Sequence, residues 1–416
     1  MIYDVIVIGG GIAGLYTAYE LLLRQRGLNI LVLEGQASLG GRIHTYNGRH
    51  MMVEAGAGRF SKSHRLLNAL IQDFGLDSVP IRSGSVFVST RPYVGDHVAL
   101  LKKVIHSSRT QSREVLQHLS FVEYARSVVG DDSADLILRS FGYYSELCLM
   151  NAYDCIRLIR SLSNSFCVLK GGLGQLIDGL GDGVRRMGGR ILVSRMVESI
   201  DFVGGLFEVL VVRSGDSRNT VYSGRKCVCA LPRPALEKIA IFRPIRGLLK
   251  SVVCSPLCRI YCRYPTDLVA AAVKGSWFAG LPKITTDNPL RMVIPVDEGS
   301  GVLMASYTDN RFARAWKRLL DRSGIHGVEA ELGRLLSRTT GRDVPKPLET
   351  RVFYWDCGVG YWGVGVDSRA VAAQMLQPFP GLDLFVCGEH FSWGHQQWIE
   401  GALETSRAVV ERLVSH

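Results

Sequence analysis

The sequence predicts an α/β fold in which a parallel-sheet nucleotide-binding unit is interleaved with a mixed-sheet unit and a short helical insertion. Three observations carry this. A strand, a glycine turn, a helix and a second strand fill the chain up to Glu34; strand-like runs return in the middle and near the end; and the stretch from Val94 to Ser165 is helical in period, with no clear strands.

Tyr3 to Ile8 is a continuous apolar, β-branched run, as a strand buried on both faces requires. Gly9, Gly11 and Gly14 follow in G-x-G-x-x-G spacing. The first makes the tight turn, the second lets the backbone approach a pyrophosphate, and the third lets the next helix pack closely on the sheet. Ile12 to Leu23 is that helix, and its first N–H groups, with Ile12 and Ala13 leading, offer an anion site reinforced by the helix dipole. The second strand, Ile30 to Leu33, ends at Glu34, about twenty residues beyond Gly14, where a carboxylate accepts hydrogen bonds from an adenosine ribose. Glycine turns between strands and helices are common, but here the strand, the helix, the second strand and the acid occur together. That is a Rossmann-like βαβ unit.

Hydrophobic residues make up 47% and charged residues 21%, the balance of an ordinary globular protein with a large core. No run approaches a membrane span. The chain opens almost directly on its first strand, so no secretory leader is expected and a cytoplasmic location is. Ten cysteines sit in apolar stretches and read as small buried thiols; Cys254, Cys258 and Cys262 lack any C-x-x-C partner, so no metal is assigned. The net charge of +11 is scattered, densest from Lys102 to Arg126, and no nucleic-acid motif accompanies it. A solvated helical face accounts for it, with an anionic partner as the alternative.

Further elements follow in order. Ser63 to Gly75 is an amphipathic helix with Leu66, Leu67, Leu70, Ile71 and Phe74 at helical spacing, closed by Gly75. Leu176 to Met187 is helical, and Arg190 to Ser194, Met196 to Ile200, Phe207 to Val212 and Arg225 to Ala230 alternate as strands. Ser251 to Tyr264 and Val302 to Tyr307 read as strands of a second sheet, residues 309–340 as helices, Leu384 to Val386 as a short buried strand, and Ile399 to Leu413 as a last helix. The expected division is 1–62, 166–235 and 380–416 for the nucleotide-binding domain, 63–92 and 236–379 for a substrate domain, and 93–165 for a helical subdomain.

Gly40-Gly41-Arg42 follows Glu34 closely, and Glu54-Ala55-Gly56-Ala57-Gly58-Arg59 comes soon after; near the end stand Phe385 to His390 and Trp398-Ile399-Glu400-Gly401-Ala402. This series resembles the flavin-dependent amine oxidase superfamily. The resemblance implies an FAD-binding domain holding non-covalent FAD, with Arg42 supporting the diphosphate. It implies that Gly56, Ala57, Gly58 and Arg59 pass against the flavin ring, and that Gly41, Val197, Trp355, Gly388, Glu389, Trp398, Ile399 and Ala402 give further cofactor contacts. Cys357 is the nearest candidate for a covalent flavin link, which is not expected.

Within that superfamily the Glu54–Phe60 segment and Ser63-His64-Arg65 are similar to L-amino-acid oxidases. The similarity implies that Arg59 clamps a substrate carboxylate, since a planar guanidinium offers two parallel donors to a planar carboxylate, with Tyr307 of Ser306-Tyr307-Thr308 assisting. A structural arginine and an ordinary strand tyrosine are the competing readings. Trp398, with Tyr361 or Trp362, is expected to wall the substrate side of the flavin and exclude water; core stacking is the alternative. Arg259 stands where most members carry a lysine near the flavin, and arginine is bulkier and never loses its charge. The implied reaction is oxidative deamination, with a small-molecule amine or amino acid and O2 as partners, H2O2 as product, and at most a second copy of the chain as a protein partner. Two alternatives stay open: a monoamine or polyamine oxidase in which Arg59 is structural, and a non-catalytic FAD-binding protein, suggested by Arg259.

Overall fold

The computed structural model describes residues 1–81, 84–161, 165–213, 219–266, 268–270 and 273–415. Residues 82–83, 162–164, 214–218, 267, 271–272 and 416 fall inside the expected domain segments and lie outside the described residues. The first sheet is built on Ile2–Ile8, which pairs in parallel with Ile30–Leu33 on one side and with the end of Asn219–Cys229 on the other. Arg190–Leu192 and Leu384–Val386 extend it in parallel, and the antiparallel strands Arg195–Val203 and Leu206–Arg213 complete seven. Strand period decides which side chain meets which layer. Val5, Val7, Ile30 and Val32 face a layer formed by the helices Ile12–Arg24, Gly174–Arg186 and Ile399–Ser415; Ile6, Ile8, Leu31 and Leu33 face the opposite core. Burial on both faces is why this part of the sequence shows runs rather than alternation.

The second sheet is mixed, in the order Glu349–Trp362, Val252–Arg263, Val302–Asp309, Met292–Asp297, Ile284–Thr286 and Val86–Val88, with only the last pair parallel. Along Val252–Arg263, Cys258, Ile260 and Cys262 enter a core with Leu303, Ala305 and Trp316. Arg259 and Tyr261 therefore project from the other face, and Arg259 lies opposite Tyr307 on the neighbouring strand. That face turns toward the Glu54–Arg59 segment.

Among the described residues, six α-helices from His97–Ser107 to Ala152–Ser161 form the insertion. Asp96 caps the first through the N–H groups of Val98 and Ala99, and Ser120 and Glu123 form a reciprocal capping box on Phe121–Val129. The insertion is fastened by a buried polar cluster. Asn151 donates to the carbonyls of Trp362 and Gly363, while Asp154, fully buried, accepts from Asn151, Arg157 and Ser368. No helix among the described residues is long and apolar enough to cross a membrane.

One sequence expectation changes, and two elements gain detail. The cysteines are not all free thiols, because Cys254 and Cys357 form a disulfide between adjacent strands; Cys357 thus has no free sulfur. The strand Glu349–Trp362 carries no clear period in the sequence, since Gly358 and Gly360 interrupt it and a bulge beside Ser255 and Leu257 shifts its register. The long helical stretch Asn310–Thr340 breaks at Gly324, whose φ of 63° no helix interior adopts.

Candidate active site

The glycine turn shows its selection sterically. A Cβ on Gly9, where φ is +107°, would lie 2.5 Å from the Ala230 carbonyl oxygen, and one on Gly14 would lie 2.0 Å from that of Gly9. Gly11 differs: the nearest atom to its Cβ position is 3.8 Å away, so open space lies in front of it. Gly11 bridges Gly40, which donates to the Gly10 carbonyl at 2.9 Å, and Gly41 closes over Gly11. The helix Ile12–Arg24 starts at Gly11 with no side-chain cap and no acid in its first turn. Its leading N–H groups, from Ile12 and Ala13, are left for an anion. Glu34 is nearly buried and accepts from the N–H groups of Gly10 and Gln36, both at 2.7 Å. An open glycine cradle, an uncapped helix start and a fixed carboxylate together fit the diphosphate and ribose of FAD.

The chain returns to this cradle at Gly388 and Glu389. Arg42 pairs with Glu389 and donates to the Gly358 carbonyl at 3.3 Å. Burial works against the Glu389 charge, yet Arg42 and His390 beside it, with the Gln397 N–H, hold its carboxyl below the usual range. His390 is buried and its pKa falls to about 4, so the ring is neutral near pH 7. The Arg233 N–H donates to its Nδ1, which places the ring proton on Nε2. His390 Nε2, Cys254 and Cys357 lie within 4.8 Å of one another, but that proton and the disulfide leave no lone-pair set for a metal. In the last helix Ser406 donates to the Ala13 carbonyl, and Ile399 and Ala402 are buried against the first helix's layer. Val197 lies half-buried on the strand whose first residue, Arg195, donates to the Glu34 carbonyl.

A second group of residues gathers around Glu54 to Arg59. Arg259 Nη1 donates to the Glu54 carbonyl at 3.0 Å, Tyr261 OH to the same oxygen at 2.8 Å, and Trp355 Nε1 to the Ala55 carbonyl at 2.8 Å. The Ala57 N–H donates to the Arg42 carbonyl, and a Cβ on Gly58 would lie 2.7 Å from Arg259 Nη1. Arg259 also covers the Tyr307 ring at 4.4 Å. Burial opposes its charge, but Tyr307 and Tyr261 outweigh that, and Arg259 stays a permanent cation.

Arg59 Nη2 donates to Tyr143 OH at 3.2 Å, and its guanidinium lies 4.5 Å from the Phe166 ring and 5.8 Å from Trp398. Phe166 and Trp398 are stacked, 11° from parallel, and Tyr143 meets Tyr307 edge to face. Arg59, Tyr307, Arg259 and Trp398 thus come together as one cluster. Trp362 does not join it: it is fully buried, its indole N–H held by the Ser392 carbonyl, so it is a core residue and not the expected wall. Tyr361 is buried beside it in the same core, and burial raises its phenol pKa further than its acidic neighbours do.

Several members of the cluster carried no role in the sequence reading. The bond from Arg59 to Tyr143 joins chain segments far apart. Phe166 follows the helical insertion without any motif. Glu400, inside a recognised stretch, caps the helix Arg65–Asp73 by accepting from the N–H groups of Leu66 and Leu67, both at 2.9 Å. Burial pushes Lys283 down to about 8, with Arg59 adding to it. Glu146 is buried and rises to about 7, chiefly by desolvation, with Asp309 adding and Arg59 opposing.

Two predictions follow from this geometry. Gly11→Val leaves the apoprotein's thermal unfolding nearly unchanged and abolishes the flavin absorbance of purified protein, because the added methyls fill the open cradle; Gly14→Val lowers the unfolding temperature itself. Equal melting losses in both variants would contradict the cradle. Glu146 keeps its proton up to about 7 when folded, against 4.5 for an ordinary glutamate. The folded chain therefore binds the extra proton, and stability falls as pH rises from 4.5 to 7. Glu146→Gln should flatten that slope in urea unfolding across this window, and an unchanged slope would contradict the burial of this carboxyl.

A family model described as flavin containing amine oxidoreductase matches residues 12–414. The flavin-dependent L-tryptophan oxidase RebO of Lentzea aerocolonigenes is 25% identical over 98% of this chain and 97% of that protein. Lysine-specific histone demethylase 1 homolog 2 of Arabidopsis thaliana is 27% identical over 58% of this chain, and the chain spans only 34% of that protein's length. The chain likewise spans 17% of the probable flavin-containing monoamine oxidase A of Dictyostelium discoideum, with 32% identity. In fold, a structure of wild-type putrescine oxidase bound to putrescine superposes with a TM-score of 0.78 over all of both chains at 15% identity. The match across residues 12–414 places this chain in the flavin containing amine oxidoreductase family.

Proposed function

We propose that the protein oxidises the Cα–N bond of an L-amino acid. The amino acid loses two electrons and two protons to become an imino acid, water hydrolyses this to the keto acid and ammonia, and O2 is reduced to H2O2. The setting of Arg59 carries the reading. Its guanidinium is held by the Tyr143 hydroxyl and by the Phe166 and Trp398 rings, and among the described residues no carboxylate lies within ion-pair distance of it. Such a cation has its fork of donors oriented and its counter-charge unfilled, which suits a substrate carboxylate. The near full-length similarity to an L-tryptophan oxidase agrees with this.

FAD, when bound, supplies the two-electron acceptor and the route to O2. The chain's residues do the rest. Arg59 anchors the carboxylate, which fixes the Cα hydrogen in one place and makes positioning the main catalytic contribution. Phe166, Trp398 and Tyr307 exclude water around the amine. Arg259, Tyr261 and Trp355 hold the Glu54–Ala55 carbonyls, so that the segment leading to Arg59 keeps its course. Only a neutral amine gives up the electron pair, so the rate rises with pH through the amine's apparent pKa.

Oxidation of a simple amine with Arg59 structural is the competing reading, and one variant separates the two. Arg59→Ala should lower kcat/KM for L-amino acids roughly 100-fold, the worth of about 3 kcal/mol in a charge-assisted pair. It should change turnover of the corresponding decarboxylated amines about threefold or less. Equal losses for both substrate types, measured by peroxide release, would overturn the carboxylate clamp.

A further inference from the structure

Glu146 stands in the first turn of the helix Tyr144–Leu149, just beyond the Tyr143 whose hydroxyl holds Arg59. Its residue is 6% exposed, and among the described residues nothing donates to its carboxyl or pairs with it. The donors that would normally serve it are taken: the N–H groups of Tyr144 and Ser145 bind Asp309, at 3.1 and 2.6 Å. The groups whose charge bears on Glu146 are Asp309, which disfavours its ionisation, and Arg59, which favours it; Glu146 in turn disfavours ionisation of Tyr143, Tyr361 and Cys155. A buried carboxyl with no partner is costly as an anion unless something brings it a cation. Lys283, on whose ammonium Arg59 acts, adds a second positive charge beside Arg59 and disfavours a ligand cation there. Glu146 is thus a buried carboxyl that no described protein group uses, three residues beyond the tyrosine that holds Arg59.

We propose that Glu146 is a cation subsite of the Arg59 cluster, taking the side-chain ammonium or guanidinium of a basic L-amino acid whose carboxylate is held by Arg59. The choice of a basic amino acid rests on the amino-acid reading above; the cation subsite does not. With the α-amine neutral, such a substrate carries one negative and one positive charge, matched at its two ends by Arg59 and Glu146.

The test uses the FAD-loaded enzyme and ligands with no α-amine to oxidise, read by perturbation of the flavin spectrum and by thermal shift. 4-Guanidinobutanoate carries both charges, hexanoate the carboxylate alone, and n-butylguanidine the cation alone. The wild type should bind 4-guanidinobutanoate about tenfold or more tighter than hexanoate, and Glu146→Gln should erase that advantage without weakening hexanoate. Equal wild-type affinities, a comparison that needs no variant, would overturn the subsite, as would an advantage that survives in Glu146→Gln. Hexanoate binding that Arg59→Ala leaves intact would overturn the carboxylate clamp alone. In that case n-butylguanidine reads the subsite by itself: loss of its binding in Glu146→Gln supports the proposal, and unchanged binding rejects it.

Discussion

Two consecutive carbonyl oxygens, those of Glu54 and Ala55, receive donors from the second sheet: Arg259 and Tyr261 on the first, Trp355 on the second. The segment they hold has little regular structure of its own beyond Met52–Glu54, so its path depends on them. Buried backbone carbonyls need partners, and here the partners come from a different sheet. The same contact therefore joins the two sheets and aims the chain at Arg59. Gly56 and Gly58 exist for this approach, because a Cβ at either would strike the Arg42 carbonyl or Arg259.

Charge placement follows the same line. Arg42 and Glu389 neutralise one another beside the glycine cradle, while Arg259 carries a permanent charge at the other end of the segment. A lysine at 259 could not serve two purposes in the same way. The planar guanidinium donates to Glu54 and stacks on Tyr307 at once, which a point charge on a flexible stem does poorly. The arginine in this chain is thus a structural brace as well as a cation.

What could be read in the sequence was what local sterics and period dictate. Gly9, Gly11, Gly14 and Glu34 lie within one βαβ unit, and their spacing alone sets their geometry. Arg59 was legible as a motif residue, but its partners Tyr143 and Phe166 come from distant segments that share no pattern with it. The Cys254–Cys357 bond depends on which strands become neighbours, and composition argued the other way. Tyr361 and Trp362 lie on a strand whose glycines hide its period, so an aromatic pair there gives no sign that both rings enter the core. Glu146 was silent, since its meaning lies in the partners it lacks.

The central claim is that this flavoenzyme recognises a carboxylate next to the amine it oxidises. Anaerobic stopped-flow mixing of the FAD-loaded wild type with an L-amino acid and with its decarboxylated amine, matched in side chain, measures this most directly through bleaching of the flavin band. The account predicts bleaching by the amino acid roughly tenfold or more faster at equal concentration of neutral amine. Equal or faster bleaching by the decarboxylated amine would contradict it.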